Sequence, residues 1–373
     1  MKVLTVLDSL KPGGVRERAF QLSRALIKAG HSAQILVAGR ADDLMLLPPE
    51  IFSLVCLTPS IGARYPIPRR LRSIRKTVAD SDVVQMMGHW SALHVVVFFF
   101  ARLSRTPYVV CPAGALRIYG RSRRLKRIYD ALIGKRIVRG ADRVIAITVD
   151  EWPLIRAHGG LSIREALLPN AVSMEDFQPV EHGFRQRHSL SDRPFILFLG
   201  RLNPIKGPDL LLDAFLAVEK RMPAFHLVFA GPDEGLEASL RRRAQGPGEK
   251  VHFVGELSGA MKVDALTEAA FLAIPSRHEA MSIVALEAGA CGTPVLATDR
   301  CGFPELEQAG GGIIVPATVE GLARGLMMMI DESRTSDMGR RLAALVREKY
   351  SWSASVAAHL RVFQDACASR AAR

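Results

Sequence analysis

The sequence predicts an α/β protein made of two Rossmann-like domains in tandem, each a parallel sheet with helices between its strands. Three observations predict it. Short apolar runs recur along the whole chain, each followed by a turn and then by a segment with helical spacing. The 373 residues exceed the usual size of a single domain. The rhythm also breaks once, near residues 167–179, where Pro169, Asn170 and Pro179 accumulate, and then starts again.

The opening elements read as strand, glycine turn, helix, strand. Residues 3–7 (Val-Leu-Thr-Val-Leu) are a short buried strand, and Lys11-Pro12-Gly13-Gly14 is the turn. Residues 15–29 form a helix with Phe20, Leu22, Ala25, Leu26 and Ala29 along one side, and Gly30 can adopt the left-handed conformation that ends it. Residues 32–37 are the next strand, and a unit of this length implies a parallel pair joined by a right-handed crossover. Residues 83–86, 108–111 and 144–147 continue the first series. The second series has strands at 195–199, 225–230, 251–254, 271–274 and 294–297, with a helix at 209–220 after the first of them. Residues 351–368 read as an amphipathic helix on Trp352, Val356, Leu360 and Phe363 with no strand after it. The expected organisation is a first domain at 1–170, a second at 171–350, and a helix at 351–373 that returns to the first domain. The two domains are expected to face each other across a cleft.

Composition narrows the class. Hydrophobic residues at 49% and charged residues at 23% are the balance of a soluble globular protein. The five cysteines are odd in number and scattered, with no CxxC pair, which argues against a disulfide framework or a zinc site and fits a reducing cytosol. Met1-Lys2 runs directly into the first strand with no secretory leader, and the apolar run at 95–101 is far shorter than the ~20 residues that span a bilayer. A cytoplasmic location is expected.

The net charge of +13 is unevenly placed. Residues 1–169 hold 27 Lys+Arg and 12 Asp+Glu, a balance of +15, so the remainder, with 23 and 25, carries −2. Much of the excess lies in Arg117, Arg121, Arg123, Arg124, Lys126, Arg127, Lys135, Arg136 and Arg139, interleaved with Leu125, Ile128, Tyr129, Leu132 and Ile133. Such a run usually forms a solvated helix face. Its interleaving also suits a helix lying on anionic lipid headgroups or holding an anionic acceptor. No helix-turn-helix, zinc-finger or RNP pattern supports nucleic acid as a partner.

Parallel sheets bind ligands at the carboxyl ends of their strands, so the residues after each strand matter most. After 195–199 comes Gly200-Arg201-Leu202-Asn203-Pro204-Ile205-Lys206-Gly207. Glycine allows close approach of a ligand, and Arg201 and Lys206 put two cations on one short loop before a helix N-terminus. After 271–274, Glu279 precedes a helix and Glu287 follows eight residues later among Val284, Ala285, Leu286 and Ala288. A carboxylate in that apolar setting needs a hydrogen-bond partner, and a ribose diol can donate twice to it. Glu279, with the free N–H groups of Met281, Ser282 and Ile283, lines a helix start suited to phosphate and sugar hydroxyls. The competing reading makes Glu279 a helix cap and pairs Glu287 with a nearby arginine.

These two segments, continuing through Gly292, Pro294 and Val295 to Gly302-Phe303-Pro304-Glu305, resemble the retaining GT-B glycosyltransferases of family 4. Gly13-Gly14, Gly30-His31 and Pro169-Asn170 fit the same pattern, so the resemblance covers essentially the whole chain. It implies a GT-B fold and transfer of a sugar, with retention, from a nucleotide-diphosphate sugar to a hydroxyl of a glycan or lipid-linked acceptor at the cytoplasmic membrane face. By the resemblance, Arg201 and Lys206 neutralise the donor diphosphate, Glu279 contacts the donor sugar, Glu287 holds the ribose, and Gly14 and Gly200 let backbone approach the donor. Catalysis would then be stabilisation of charge on the leaving group, with no cofactor or metal expected. Other GT-B activities, such as sugar-nucleotide epimerisation, and a non-catalytic binding module are the alternatives.

The chain departs from the family pattern in places. Ala280-Met281-Ser282 stands where many members have Gly-Phe-Gly, and Ala113-Gly114 where many carry a His or Arg. Gln85-Met86-Met87-Gly88, followed by His89-Trp90, stands where relatives often show His-x-His-Gly. His89 and Gly114 are therefore the acceptor-side candidates, although a lone histidine also reads as structural.

Overall fold

The structure, a computed structural model, describes every residue except 11–12, 39–54, 59, 62–66, 69, 119–121, 179–182, 191–192, 246–249, 331 and 372–373. Lys11 and Pro12 of the expected turn, Arg121 of the basic run and Pro179 of the expected boundary lie outside the described residues. The chain divides into two compact units, Met1–Asn170 with Trp352–Arg373, and Ala171–Ser351.

The first unit is built on seven parallel strands: β1 (Lys2–Leu7), β2 (Ser32–Ala38), β3 (Val55–Thr58), β6 (Val83–Met87), β7 (Tyr108–Cys111), β8 (Arg143–Ala146) and β9 (Glu165–Leu167). Their order is β3-β2-β1-β6-β7-β8-β9, while β4 (Ser60–Ile61) and β5 (Ile67–Pro68) form a separate antiparallel ribbon. The order reverses between β1 and β6, whose partners run from Val3 opposite Val83 to Val6 opposite Met86. Leu4, Val6, Val84, Met86 and Val110 pack with Ile74, Val78, Leu93 and Val97 in one core, because alternate residues of each strand share a face.

Arg18, on the helix Gly14–Lys28, is only 1% exposed. Its guanidinium donates to the carbonyls of Leu168 and Pro169, to Asn170 Oδ1 and to His359 Nε2, at 2.8 to 3.1 Å. Burial and the neighbouring Arg18 charge push the His359 imidazole down to about 3, so it is neutral and can accept that bond. His359 lies on the last helix, Trp352–Ala371, and Trp352 Nε1 donates to Gln21 Oε1 at 2.7 Å. A buried cation with four acceptors thus ties that helix to the end of β9 and to the first helix.

The second unit contains β10 (Phe195–Leu199), β11 (His226–Ala230), β12 (Val251–Gly255), β13 (Phe271–Ile274), β14 (Val295–Thr298) and β15 (Gly312–Val315), in the order β12-β11-β10-β13-β14-β15 and all parallel. Its reversal falls between β10 and β13. Ile196, Phe198, Leu212, Phe215, Leu227, Phe229 and Phe271 form its core.

Besides the β4–β5 ribbon, three strands of the two parallel sheets go beyond those read from the sequence. β3 is reached through residues outside the description, β9 is a three-residue edge strand without a full apolar run, and β15 begins in the glycine run 310–312. The basic segment also differs from one uniform helix: it consists of Arg123–Tyr129, a π turn at Asp130–Gly134, and Lys135–Arg139. No helix among the described residues is long and apolar enough to cross a membrane.

Candidate active site

The strand order of the second unit places the loops after β10 and β13 side by side, and the contacts between them are dense. Arg277 N–H donates to the Ile205 carbonyl at 2.8 Å. Its guanidinium donates to the Pro204 carbonyl at 2.7 Å and grips both carboxylate oxygens of Asp209 at 2.8 and 2.6 Å. Burial alone would raise the Asp209 carboxyl; the hydrogen bonds and charge of Arg277 overcome it and hold the group below its usual range. Gly207 has φ +71°, and a Cβ there would sit 2.1 Å from the Pro275 carbonyl oxygen, so only glycine permits this approach. Asn203 organises the first loop from within, accepting from Lys206 N–H at 3.0 Å and donating to Glu234 at 2.7 Å.

At this junction Lys206 Nζ meets Glu279 Oε1 at 2.9 Å, and Ser276 Oγ donates to the same carboxylate oxygen. Glu279 is fixed in turn by its own N–H, which donates to the Arg300 carbonyl at 2.8 Å. The β14 loop supports this segment further: Thr298 Oγ1 donates to the Ser276 carbonyl at 2.6 Å, and Gly302 sits so close that a Cβ would fall 1.8 Å from the Ala280 carbonyl oxygen.

The expectation of three free N–H groups at 281–283 needs correction. Ser282 N–H donates to the Cys301 carbonyl at 3.2 Å, because the β14 loop closes over this turn. Met281 is buried. Ile283 opens the helix Ile283–Ala290, which has no side-chain cap and points its positive dipole end at this turn. Ser282 Oγ is buried without a hydrogen-bond partner at the same helix entry.

Arg201 and Glu287 have other neighbours. Arg201 donates to both oxygens of Glu234 at 2.9 and 3.1 Å at the solvent-exposed mouth of the loop, next to Gly200, whose N–H is held by the Ala230 carbonyl. Glu287 is buried on the helix Ile283–Ala290, where Lys262 Nζ reaches its Oε1 at 2.8 Å. The partner is therefore a lysine rather than the arginine of the competing reading. Lys262 was not singled out in the sequence, because it comes from a different helix, Gly259–Glu268. Its ammonium also sits 5.3 Å from the Phe177 ring centroid, which fixes the stem.

Two family models match successive parts of the chain. Residues 13–171 match the glycosyl transferase 4-like domain, and residues 181–344 match glycosyl transferases group 1. The chain belongs to the family 4-like GT-B glycosyltransferases. Among curated relatives it is 24% identical to D-inositol 3-phosphate glycosyltransferase of Kribbella flavida, over 96% of this chain and 92% of that one. It is 26% identical to the GDP-mannose-dependent alpha-(1-6)-phosphatidylinositol dimannoside mannosyltransferase of Mycobacterium tuberculosis, over 96% and 95%. In fold it is similar to HepE of Anabaena in complex with UDP, with a TM-score of 0.81 and 18% identity over 98% of this chain and all of that one. Sucrose-phosphate synthase of Thermosynechococcus elongatus follows at a TM-score of 0.76 and 19% identity, over 98% and 99%.

The first unit of this glycosyltransferase holds the remaining candidates. Gly14 is exposed at the start of its helix, after Gly13, with no side-chain cap. Gly114 has φ +81°, and its N–H donates to Glu151, a buried carboxylate that also accepts from Ile147 N–H at 2.7 Å. His89 is 2% exposed and turned inward: its Nε2 donates to Asp130 Oδ1 at 2.7 Å. Asp130 and His158, which joins it at 3.4 Å, went unnoticed in the sequence, since each is a single residue in a stretch that reads as ordinary helix.

Proposed function

We propose that this glycosyltransferase transfers a sugar, with retention of anomeric configuration, from a nucleotide-diphosphate sugar to a hydroxyl of a glycan or lipid-linked acceptor. The observation that carries the reading is the Lys206–Glu279 pair, set between two interlocked loops beside an uncapped helix N-terminus. An ammonium already poised in that position can exchange its carboxylate for a diphosphate, and the helix amides add donors to the same anion. Charge that grows on the leaving diphosphate is then met by Lys206, Arg201 and the helix dipole, which act more strongly at the transition state than on the ground state. Glu279 is left to accept from donor-sugar hydroxyls, and Glu287, oriented by Lys262, to accept from the ribose. A leaving-group oxygen takes the acceptor proton as the new glycosidic bond forms on the same face. HepE was crystallised with UDP and glucose, which supports a nucleotide-sugar donor here. The activities for which the curated relatives are named support an inositol-containing or other hydroxylated acceptor.

Action at an anionic membrane face is supported by the basic segment. Leu125, Ile128 and Leu132 are 49%, 54% and 63% exposed between Arg123, Arg124, Arg127, Lys135 and Arg136. Apolar side chains open to solvent amid cations are the pattern of an interfacial helix.

The test is product analysis. Incubation with each common nucleotide sugar and candidate acceptors, followed by NMR of the anomeric proton, should give one donor–acceptor pair with the donor's configuration in the product. Inversion would overturn retention, and conversion of the donor without acceptor would favour epimerisation.

A further inference from the structure

Three side chains distant in sequence converge in the first unit, apart from the residues assigned to donor binding in the second. His89 lies just after β6, Asp130 opens the π turn, and His158 is near the end of the helix Trp152–Gly159. One ligand atom from each lies within 4.8 Å of the others, and all three residues are buried.

Hydrogen-bond direction fixes what each atom offers. His158 Nδ1 is 2.8 Å from the Leu154 carbonyl oxygen, which only accepts, so Nδ1 carries a proton and donates it. In a neutral ring Nε2 is then a bare lone pair, and it faces Asp130 Oδ2, another acceptor, at 3.4 Å. Two buried acceptors facing each other require a cation between them, either a proton or a metal ion. The spacing favours the metal. Nitrogen and oxygen ligands at about 2.0–2.2 Å from a tetrahedral zinc lie roughly 3.3–3.5 Å apart, whereas a charge-assisted N–H···O bond closes to about 2.7–2.9 Å.

His89 completes the set. Its Nε2 donates to Asp130 Oδ1 at 2.7 Å, a hydrogen-bond spacing shorter than that between two ligands of one ion. The carboxylate therefore ligates through Oδ2, and the His89 ring turns to present its lone pair once the proton moves to Nδ1. Trp90 Nε1 donates to Oδ1 at 3.2 Å and keeps the carboxylate oriented when His89 turns to the metal. The Tyr129 hydroxyl donates to the His89 carbonyl at 2.9 Å, which anchors the loop. Gly134 closes the wall: a Cβ there would lie 2.5 Å from Asp130 Oδ1 and 2.9 Å from His89 Nε2. The π turn itself, a rare irregularity that favours functional positions, brings Asp130 inward.

We propose that His89, Asp130 and His158 form a binding site for one divalent metal ion of the zinc class, which clamps the π turn to the loop after β6 and to the helix Trp152–Gly159. The set of two imidazoles and one carboxylate suits zinc or cobalt over magnesium or calcium. Entry of the ion displaces any proton on His158 Nε2 and shifts the His89 proton from Nε2 to Nδ1, which breaks the His89–Asp130 hydrogen bond; no covalent bond between heavy atoms changes. The site does not depend on the proposed transfer reaction.

The test uses the tag-free full chain, stripped by chelator and titrated with Co2+ and then Zn2+. One equivalent of Co2+ per chain is expected, with the intense visible bands of tetrahedral nitrogen and oxygen ligation, and stoichiometric displacement by Zn2+. His158→Ala and Asp130→Asn should each weaken binding by on the order of 100-fold, with circular dichroism as the folding check. Should His158→Ala fail to fold, His158→Gln replaces it, and the stoichiometry of the unaltered chain is decisive by itself. Absence of stoichiometric uptake, a sulfur-to-cobalt charge-transfer band, or binding by the folded His158 variant equal to that of the unaltered chain would each overturn the site.

Discussion

The two units reach their sheet reversals by the same topology and furnish them differently. In the second unit, the loops after β10 and β13 meet through Lys206 on Glu279, while Arg201 of the first loop meets Glu234 from the loop after β11. In the first unit, the loop after β6 sends its one titratable side chain inward, so that His89 is spent on Asp130. What it offers instead is glycine backbone at Gly13 and Gly14 and, elsewhere on its surface, a basic segment with exposed leucines. A shared architecture therefore fixes where a ligand can bind, while the loop residues decide whether that place carries charge, backbone or a closed internal cluster.

The contrast can be broken most sharply in the second unit. Lys206→Ala should lower transfer by about 100- to 1000-fold, the cost of one preorganised donor to a developing anion, with little change in melting temperature because the side chain is near the surface. Near-normal turnover would return Lys206 to the role of a surface ion pair. The matching change in the first unit is Arg123→Ala with Arg124→Ala and Arg127→Ala. At about 1 kcal/mol for each cation near an anionic surface, vesicle binding at low salt should fall roughly 100-fold, while transfer to a soluble acceptor stays unchanged. Equal binding by the triple variant would leave the segment as a solvated face.

A smaller effect separates loop geometry from loop chemistry. Gly302→Ala puts a Cβ into the Ala280 carbonyl at a φ of +62°, so stability should drop by about 1–3 kcal/mol. Calorimetry of that variant should show a lower melting temperature, and an unchanged melt would mean that the β14 loop adapts freely. Smallest is the pH response of the edge pair His226 and His252, whose rings stack 5.0 Å apart. Burial first, then His252 and Arg193, push the His226 imidazole down to about 4. The unfolded chain therefore binds more protons between pH 6.5 and 4, and stability should fall as pH is lowered through that window. His226→Phe should flatten the fall, and an identical slope would assign it to other groups.

Much of this was legible in the sequence where signal is local. The strands at Phe195–Leu199 and Phe271–Ile274 are apolar runs that end in turns, and the residues after them carry the cations and carboxylates that the fold brings into contact. Long-range partners were not legible. Lys262 reaches Glu287 from another helix, Glu234 meets Arg201 from the loop after β11, and Asp130 depends on a π turn that no periodicity announces. Ser282 illustrates the same limit: a helix entry is readable, but the carbonyl of Cys301 that occupies its amide comes from a separate loop. The glycines marked positions of close approach without naming the neighbour, which proved to be Pro275 for Gly207 and Ala280 for Gly302.

The central claim is that the loops after β10 and β13 hold one diphosphate. Thermal melting of the unaltered chain, Lys206→Ala and Glu287→Ala with a panel of nucleoside diphosphates tests it most directly, since a ligand specific to the folded state raises its melting temperature. At least one diphosphate should stabilise the unaltered chain by several degrees, and both variants should lose most of that shift. A panel with no stabilising diphosphate, or full shifts in both variants, would contradict it.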